Sequence, residues 1–454
     1  MSRVLLISSN TNTDPLAVYP LGMALIAASL EQEDHDVHQL DLVLHLENIF
    51  QSVAHTIKTF DPDFIGISIR NIDSVDSFAP DDAWYLDKVK DLVGQIKTIS
   101  PKPIILGGPA FSIMPEVILD FLNADFGIVG EGEILLNQLI HDISNNNNVE
   151  KILYPGQSPI DKNDFFPPLY EQKLVDYYFD HSGMLNYQTK RGCPHGCNYC
   201  SYPLIEGKKI RYQDPEFVVD NLIRLKKDFN VDTMFFTDSV FNDCQGHYLK
   251  IAELMLKKKC NMKWAAYFRP EKMAQEELAL LKKSGLYAME VGSDAACDAT
   301  LKGINKSFDF EKIFTLNESC IKAQIPCAHF FMFGGPKETE TTVQEGLKNI
   351  ARLEKCVVFV FSGIRILPNT GIHKIAVDQG VITAGNTLLK PCYYVSPIVD
   401  QNWMNGRLKS AFHKQKDRFF PPEEGYMRMR ALKVFGFKGL LWDLAINIKK
   451  TKSI

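Results

Sequence analysis

The sequence contains no apolar run near the roughly 18 residues that a membrane-spanning helix needs. Its first residues, MSRVLLISSN, also lack the layout of a signal peptide, because only about four apolar residues stand together before polar residues follow. A net charge of -5 leaves no excess of positive charge for general nucleic-acid binding. We therefore expect a cytoplasmic protein that neither spans a membrane nor binds nucleic acid.

The sequence also has no second Cys-x-x-Cys motif and no disulfide framework. Of its 10 cysteines, only three are clustered, at Cys193, Cys197 and Cys200 in the stretch RGCPHGCNYCSYP. The others are scattered singly along a chain of ordinary composition, with 45% hydrophobic and 23% charged residues. Scattered thiols in an intracellular chain are typical of buried core residues. The three clustered cysteines are therefore the ones that predict chemistry.

Residues 1–145 alternate short apolar runs, such as RVLLISS, FIGISI and PIILGG, with helical patterns such as LGMALIAASLEQE. This alternation predicts an α/β domain with a parallel, doubly wound, Rossmann-like sheet. Ligands of such sheets bind at the carboxyl ends of the strands. The loops that follow the strands are therefore the candidate binding site of this domain.

The rest of the chain divides into three parts. Residues 146–185 are polar and contain prolines, which predicts a linker. Residues 186–385 alternate again in six strand–helix units, which predicts a partial (β/α)6 barrel of TIM type with its active site on the loops after the strands. Residues 386–454 predict a small, mostly helical extension. The cysteine stretch follows the first strand of the barrel.

The end of the chain is basic and amphipathic. From residue 411 on it has ten Lys and Arg against four Asp and Glu, and Lys449, Lys450 and Lys452 stand close to its end. One interpretation is a helix packed on the barrel. The other is a weak contact with a membrane surface.

Three thiols at spacings of four and three predict a soft metal, either zinc or iron–sulfur. A structural zinc site needs four ligands, and His195 has little freedom to serve as the fourth because it lies inside the same short loop. An iron–sulfur cube with three protein ligands keeps one iron open, which suits catalysis. We therefore favour the cluster and keep zinc as the alternative.

The motif Cys-x3-Cys-x2-Cys after the first strand of a six-unit barrel resembles that of the radical S-adenosylmethionine (radical SAM) superfamily. The resemblance implies that Cys193, Cys197 and Cys200 hold a four-iron four-sulfur (4Fe-4S) cluster, whose open iron binds S-adenosylmethionine. It implies reductive cleavage of that molecule to a 5′-deoxyadenosyl radical. It also places residues of later loops near S-adenosylmethionine, with Asp294 and Glu290 as alternatives at the ribose. The implied S-adenosylmethionine residues are Tyr199, Asp238, Glu290, Asp294, Gly334 and Gly335.

The first domain resembles the cobalamin-binding domain that precedes the barrel in one large radical SAM subclass, the class B methylase-like enzymes. The resemblance is carried by IILGGPAFSIMPEVIL and GIVGEGE. It implies a corrin across the strand ends, and the alternative is a Rossmann-like scaffold that has lost its cofactor. Because the loop after the first strand has no histidine, and His38 lies on the second strand, we expect no histidine ligand on cobalt. The implied cobalamin residues are Arg70, Asn71, Gly107, Gly108, Ser112, Gly130, Glu131, Gly132 and Glu133.

The subclass resemblance implies hydrogen abstraction from an unactivated carbon followed by methyl transfer from methylcobalamin. Alternatives are cyclisation, rearrangement or oxidation without methyl transfer, and a cobalamin-binding sensor or carrier that is not an enzyme. The substrate is expected to be a small or lipid-like molecule, and the electron donor a flavodoxin or ferredoxin. The candidate catalytic residues, which would face the substrate, are Tyr267, His329 and Arg365.

Overall fold

The computed structural model describes residues 1–79, 84–156, 160 and 165–446. These residues form two parallel sheets covered by helices, followed by a C-terminal segment. None of their helices is both long and apolar enough to pass through a bilayer. The three lysines that close the basic stretch, Lys449, Lys450 and Lys452, lie outside the described residues.

The N-terminal part alternates strands and helices. In chain order, its elements are β1 (Arg3–Ser8), α1 (Leu21–Gln32), β2 (Asp36–Asp41), a 3-10 turn (Leu42–His45), α2 (Ile49–Phe60), β3 (Phe64–Ser68), α3 (Leu86–Ile99), β4 (Ile104–Gly107), α4 (Pro109–Ile113), α5 (Pro115–Leu122), β5 (Phe126–Ile128), α6 (Gly132–Ser144) and β6 (Ile152–Leu153).

The six strands of this sheet are parallel, in the order β2–β1–β3–β4–β5–β6. The strand sequences are almost continuously apolar because helices cover both faces of the sheet. The chain changes direction across the sheet at β1 and β3, which opens a crevice at their carboxyl ends. The predicted doubly wound fold is confirmed, and β6 adds a strand from within the predicted linker.

The second part forms the barrel. In chain order, its elements are α7 (Gln172–Ser182), β7 (Leu185–Tyr187), β8 (Lys190–Arg191), α8 (Tyr202–Ile205), β9 (Arg211–Tyr212), α9 (Pro215–Phe229), β10 (Thr233–Phe236), α10 (His247–Lys257), β11 (Lys263–Phe268), α11 (Gln275–Ser284), β12 (Leu286–Asp294), α12 (Asp298–Gly303), α13 (Phe310–Ala323), β13 (Cys327–Phe333), α14 (Glu340–Ala351), β14 (Val357–Ser362), β15 (Ile364–Arg365) and α15 (Gly371–Asp378).

The C-terminal segment is short and packs against the barrel. Its elements are β16 (Tyr393–Tyr394), α16 (Gln401–Phe412), β17 (Arg418–Phe419), α17 (Glu423–Val434) and α18 (Trp442–Ile446).

The barrel sheet is parallel, in the order β17–β14–β13–β12–β11–β10–β7. Six of these strands come from the predicted barrel, which is confirmed, and β17 comes from the extension that the sequence predicts as mostly helical. Side chains alternate between an outer face, packed on the helices, and an inner face that lines the lumen. Trp442 of α18 packs on the inner-face residue Phe359, with ring centroids 5.6 Å apart, so the C-terminal segment closes one side of the lumen.

Candidate active site

The cysteine loop follows β8 and is held rigidly at both ends. Gly192 begins it with a φ of +90°, and a Cβ there would lie 2.2 Å from the carbonyl oxygen of Lys209, so glycine is required. The backbone N–H of Asn198 donates to the carbonyl of Ile304 at 3.1 Å. Its side-chain amide donates to the carbonyl of Gly303 at 2.9 Å. These contacts fix the loop against the end of α12.

The three clustered thiols lie within electrostatic reach of one another. Burial, together with the charges of Cys197 and Cys193, raises the pKa of the Cys200 thiol to about 12. In the described part of the chain, no three Cys, His, Asp or Glu side chains converge closely enough to hold a single metal ion. Thiolates that hold a four-iron cluster stand further apart than the ligands of one ion, because the cluster itself is larger. The donor set, three free thiols on one loop, fits such a cluster.

Beside the cysteine loop lies a buried group of three polar side chains. Lys306 forms an ion pair with Asp294 and donates a hydrogen bond to the Tyr199 hydroxyl at 3.1 Å. Although burial lowers the pKa of Lys306, Asp294 and Tyr199 raise it well above its ordinary value. The structure therefore brings two predicted S-adenosylmethionine residues together around a lysine. This arrangement presents hydroxyl, carboxylate and ammonium groups next to the thiols.

Asp238 and the glycine pair after β13 lie at the same edge of the barrel. The Asp238 carboxylate is fully buried and accepts hydrogen bonds from the backbone N–H of Thr189 at 2.6 Å and from its hydroxyl at 2.5 Å. It thereby orients the chain just before the cysteine loop, and its oxygens face protein atoms. Gly334 has a φ of +86°, and its N–H donates to the Glu338 carboxylate at 3.1 Å. Gly335 follows it in the same turn.

Tyr267 and Glu290 face the lumen side by side. The two residues are register partners on β11 and β12. The Tyr267 ring is 41% exposed and packs edge-on against Phe235 at a centroid distance of 4.9 Å. Glu290 is only 8% exposed, and burial raises its pKa to about 8. The structure thus places both candidates in the lumen. Glu290 lies four residues before Asp294 on β12 and therefore deeper in the barrel.

His329 and Arg365 are placed differently from Tyr267. His329 lies on the outer face of β13, where its ring contacts the Ser293 hydroxyl at 2.8 Å and Asn317 at 3.2 Å. Burial lowers its pKa to about 3, so the ring is neutral. Arg365 donates to the Asp73 carboxylate of the first domain at 2.8 Å and to the Leu388 carbonyl at 2.9 Å. Its guanidinium therefore joins the two domains.

The glycine-rich loop after β4 packs closely on the loop after β3. Gly108 has a φ of +95°, and a Cβ there would lie 2.6 Å from the Ile69 carbonyl oxygen. At Gly107 a Cβ would meet no atom of the described residues closer than 4.0 Å, so there is open space beside it in this part of the chain. The Ser112 hydroxyl accepts a hydrogen bond from the N–H of Gly130 at 2.8 Å. The loops after β4 and β5 thereby form one connected cradle.

Glu131 and Glu133, at the start of α6, point across to the barrel. Glu133 accepts a hydrogen bond from Arg191 at 2.6 Å, and Glu131 accepts one from Arg211 at 2.7 Å. Arg191 and Arg211 are register partners on β8 and β9, next to the cysteine loop. Gly132, between the two glutamates, approaches α1, where a Cβ would lie 2.9 Å from Ile26. The structure thus assigns both carboxylates to ion pairs between domains.

Arg70 and Asn71 line a small pocket with Asn10 and Thr11 at the carboxyl ends of β3 and β1. Burial lowers the pKa of Arg70, and no described residue forms an ion pair with its guanidinium. His38 lies on β2 as expected, paired with Leu5 of β1 and away from this crevice. An open cradle beside Gly107 and an uncommitted cation at the switch point of the sheet fit a large cofactor that carries a phosphate group, such as cobalamin.

Three functional side chains were missed by reasoning from sequence: Lys306, Arg191 and Arg211. Arg191 stands two residues before the first cysteine, and Lys306 follows the strand that ends in Asp294. Only Arg191 stands beside motif residues, so proximity to the motif was a signal for that residue alone. Charged residues at such positions are common on surfaces, so only the fold shows that these three are buried.

Two family models match the chain. The model of the B12 binding domain matches residues 9–140. The model of the radical SAM superfamily matches residues 187–350. The two matches fall on the two sheets described above, in the predicted order.

Several known proteins are similar over most of the chain. Tryptophan 2-C-methyltransferase of Streptomyces laurentii is 21% identical over 83% of this chain and 74% of its own length. Hopanoid C-3 methylase of Methylococcus capsulatus is 24% identical over 66% of this chain and 58% of its own length.

Two solved structures share the fold. The radical S-adenosylmethionine methyltransferase TsrM of Kitasatospora setae, solved with cobalamin and a [4Fe-4S] cluster, superposes with a TM-score of 0.85 at 20% identity, over 98% of both chains. The cobalamin-dependent radical enzyme OxsB superposes with a TM-score of 0.71 at 14% identity, over 98% of this chain and 72% of its own.

The family models, the donor set of three thiols and the cradle of the first sheet agree with one another. The predicted enzyme class and cofactors are confirmed, whereas the domain boundaries and the individual site residues stay predictions. The chain is a radical SAM enzyme with an N-terminal B12-binding domain, and its cofactors are S-adenosylmethionine, cobalamin and a 4Fe-4S cluster.

Proposed function

We propose that this enzyme methylates a carbon atom of a small molecule, with S-adenosylmethionine as the source of the methyl group. One observation carries the proposal: the fold follows that of a methyltransferase over 98% of both chains, at a TM-score of 0.85. The names of the relatives point the same way, since they include a tryptophan methyltransferase and a hopanoid methylase.

The chain's own residues supply binding, orientation and shielding from water. Cys193, Cys197 and Cys200 would hold the cluster. Tyr199, Lys306 and Asp294 would hold S-adenosylmethionine, and the loops around Gly107 and Arg70 would hold cobalamin. When bound, these groups supply one-electron reduction, cleavage of S-adenosylmethionine and methyl carriage. The lumen between them is lined by Tyr267 and Glu290, which would orient the substrate.

The proposal is tested with anaerobically reconstituted enzyme and S-adenosylmethionine labelled in its methyl group. The expected result is label in the product, together with formation of 5′-deoxyadenosine. Cys197→Ala is expected to abolish both, and Cys244→Ala, which changes an exposed cysteine, is the matched control. Product without label would reject methyl transfer. It would favour the alternative of cyclisation, rearrangement or oxidation, for which the cyclase of Rubrivivax gelatinosus is a relative, at 24% identity over 65% of this chain.

We further propose that a small electron-transfer protein of the flavodoxin or ferredoxin class reduces the cluster in the cytoplasm. All ten cysteines are free thiols, which suits a reducing compartment. The test compares turnover with reduced flavodoxin and with dithionite. A donor that leaves the cluster oxidised, as followed by its visible absorbance, is rejected.

A weak contact with a membrane surface is proposed for the end of α17. Val434 and Phe435 are 85% and 80% exposed there, whereas Lys433 donates to the Pro15 carbonyl and Lys438 pairs with Asp180. The exposed apolar pair suits shallow insertion at a membrane surface, and the basic residues from 411 to the C-terminus suit anionic lipid. Sedimentation with phosphatidylglycerol vesicles tests this, with phosphatidylcholine vesicles and the variant Phe435→Ser as controls. Equal sedimentation with both lipids rejects the contact.

A further inference from the structure

Glu290 occupies an unusual position on the fourth strand of the barrel, β12. Its neighbour Met289 faces outward, where it contacts the Cys320 thiol of α13 at 3.6 Å. Because side chains alternate along a strand, Ala288 and Glu290 face inward, and Ala288 belongs to the apolar cluster on the inner face of the sheet. The register partners of Glu290 are Tyr267 on one side and Ala328 on the other. The carboxyl group therefore points into the lumen.

This carboxyl group has no hydrogen-bond partner among the described residues, although Glu290 is buried and only 8% exposed. Other buried carboxylates of the chain have partners: Glu133 pairs with Arg191, Asp73 with Arg365, and Asp238 with Thr189. Burial is the one cause of its raised pKa, so no cation in the described chain offsets it. A buried carboxyl group without a partner costs stability, and it is typical of a functional site.

The space around Glu290 is open. Its inward-facing neighbours Ala288 and Ala328 carry only methyl groups, and a Cβ at Gly292 would meet no atom closer than 3.7 Å. The Tyr267 side chain next to Glu290 is 41% exposed, so the lumen is accessible beside the carboxyl group. Glu290 precedes Asp294 on the same strand, so it lies deeper in the barrel than Asp294 does.

The titratable groups within electrostatic reach of Glu290 are tyrosines, and Tyr267 is its direct neighbour on β11. The charge of Glu290 raises the pKa of Tyr267, Tyr287 and Tyr426, after the larger effect of burial on each. These phenols are neutral, and the faces of their rings attract cations. Phe330 and Phe359, stacked at 5.4 Å between centroids, add an apolar wall to the same lumen. A cation with an apolar body is the ligand that this combination recognises.

We propose that Glu290 anchors the substrate by forming an ion pair with a protonated amine, while the apolar body of the substrate lies along the aromatic lumen. This inference rests on the proposed function, because it takes the lumen as the substrate site. It assigns a substrate class, an amine with an aromatic or aliphatic body. On binding, the carboxyl group gives its proton to solvent and the amine keeps its own, so the pair is neutral overall.

The test uses holoenzyme, loaded with cluster and cobalamin, and measures binding without turnover. Equilibrium dialysis compares 2-phenylethylamine with its uncharged counterpart 2-phenylethanol near neutral pH. We expect the wild type to bind the amine at least tenfold more tightly than the alcohol. Glu290→Gln is expected to remove this preference while leaving the affinity for the alcohol unchanged. Glu311→Gln, the same change on an exposed glutamate of α13, is the matched control and keeps the preference.

Two results overturn the proposal: a wild type that binds amine and alcohol equally or does not bind the amine, and a Glu290→Gln variant that keeps the preference. Retained binding of the alcohol shows that the variant is folded. If the variant fails to fold, the affinities of the wild type for the amine and the alcohol still test the proposal. The outcome is independent of methyl transfer, because an enzyme that prefers amines but transfers no labelled methyl group contradicts the proposed function alone.

Discussion

Glu133 of the first domain and Arg191 of the barrel form a buried ion pair at 2.6 Å. Arg191 stands two residues before Cys193, and Glu133 belongs to the first turn of the helix that follows β5. Glu131 and Arg211 extend the pair into a group of four charges. The base of the cysteine loop is thereby fixed to the cobalamin domain by buried ion pairs.

The first prediction concerns this ion pair. Glu133→Gln removes a buried charge and leaves Arg191 partly uncompensated, so we expect a loss of about 3 kcal/mol in the free energy of unfolding. Urea unfolding of the apoprotein measures it. Arg352→Gln, which breaks the exposed pair with Glu311, is the control and should cost under about 1 kcal/mol. Equal losses for the two variants would contradict a buried role for Glu133.

The second prediction concerns Lys306. Lys306→Met leaves Asp294 without its cation and removes the hydrogen bond to Tyr199, so affinity for S-adenosylmethionine should fall at least tenfold. Iron and sulfide content should stay at the wild-type level, because no thiol is changed. Dialysis with labelled S-adenosylmethionine measures the affinity. Lys302→Met, on the exposed side of α12, is the matched control, and a loss as large as that of Lys306→Met would refute the assignment.

The third prediction concerns the pH dependence of stability. Burial raises the pKa of Glu290 from 4.5 to about 8, so the folded protein holds a proton that the unfolded chain has lost. The contribution of Glu290 to the free energy of unfolding is fully present below the pKa of the unfolded chain, and it is lost as the pH rises towards the pKa of the folded protein. The Glu290→Gln variant cannot titrate at this position, so its free energy of unfolding does not fall for this reason. The free energy of unfolding of the variant, relative to that of the wild type, should therefore grow by roughly 2–3 kcal/mol between about pH 6 and about pH 8.5.

Thermal or urea unfolding at several pH values measures this difference. Tyr267, Tyr287 and Tyr426, whose pKa values the Glu290 charge influences, have raised pKa values and keep their protons throughout this range. Glu311→Gln should follow the wild type at every pH. A constant difference between Glu290→Gln and the wild type would mean that Glu290 titrates normally.

The fourth prediction concerns the cradle of the first domain. Gly108→Ala places a Cβ 2.6 Å from the Ile69 carbonyl oxygen at a φ of +95°. It should lower the free energy of unfolding by about 1–3 kcal/mol and weaken cobalamin binding. Cobalamin retention is read from visible absorbance after gel filtration. Gly22→Ala in α1, where a Cβ meets no atom within 4 Å, should be neutral or stabilising by up to about 1 kcal/mol. Full retention of cobalamin by Gly108→Ala would reject the cradle.

The local pattern of apolar and polar residues was enough to predict much of the fold. The apolar runs of β1, β3 and β4 and the helical periods between them predicted the doubly wound sheet, because burial on both faces requires continuous apolar strands. The strand β17 was not predictable, because its two residues, Arg418 and Phe419, pair only after the barrel has formed. A two-residue strand has no periodicity of its own.

The sequence by itself determined the donor set of Cys193, Cys197 and Cys200, because thiol chemistry and spacing are local properties of one loop. Only the tertiary structure decided which charged side chains are buried and which residues they contact. It turned Glu131 and Glu133 towards arginines of the barrel, placed His329 on the outer face, and left Glu290 in the lumen without a partner from the part of the chain that the structure describes. These outcomes depend on packing between distant segments, which sets desolvation and pairing, and no local pattern encodes that packing.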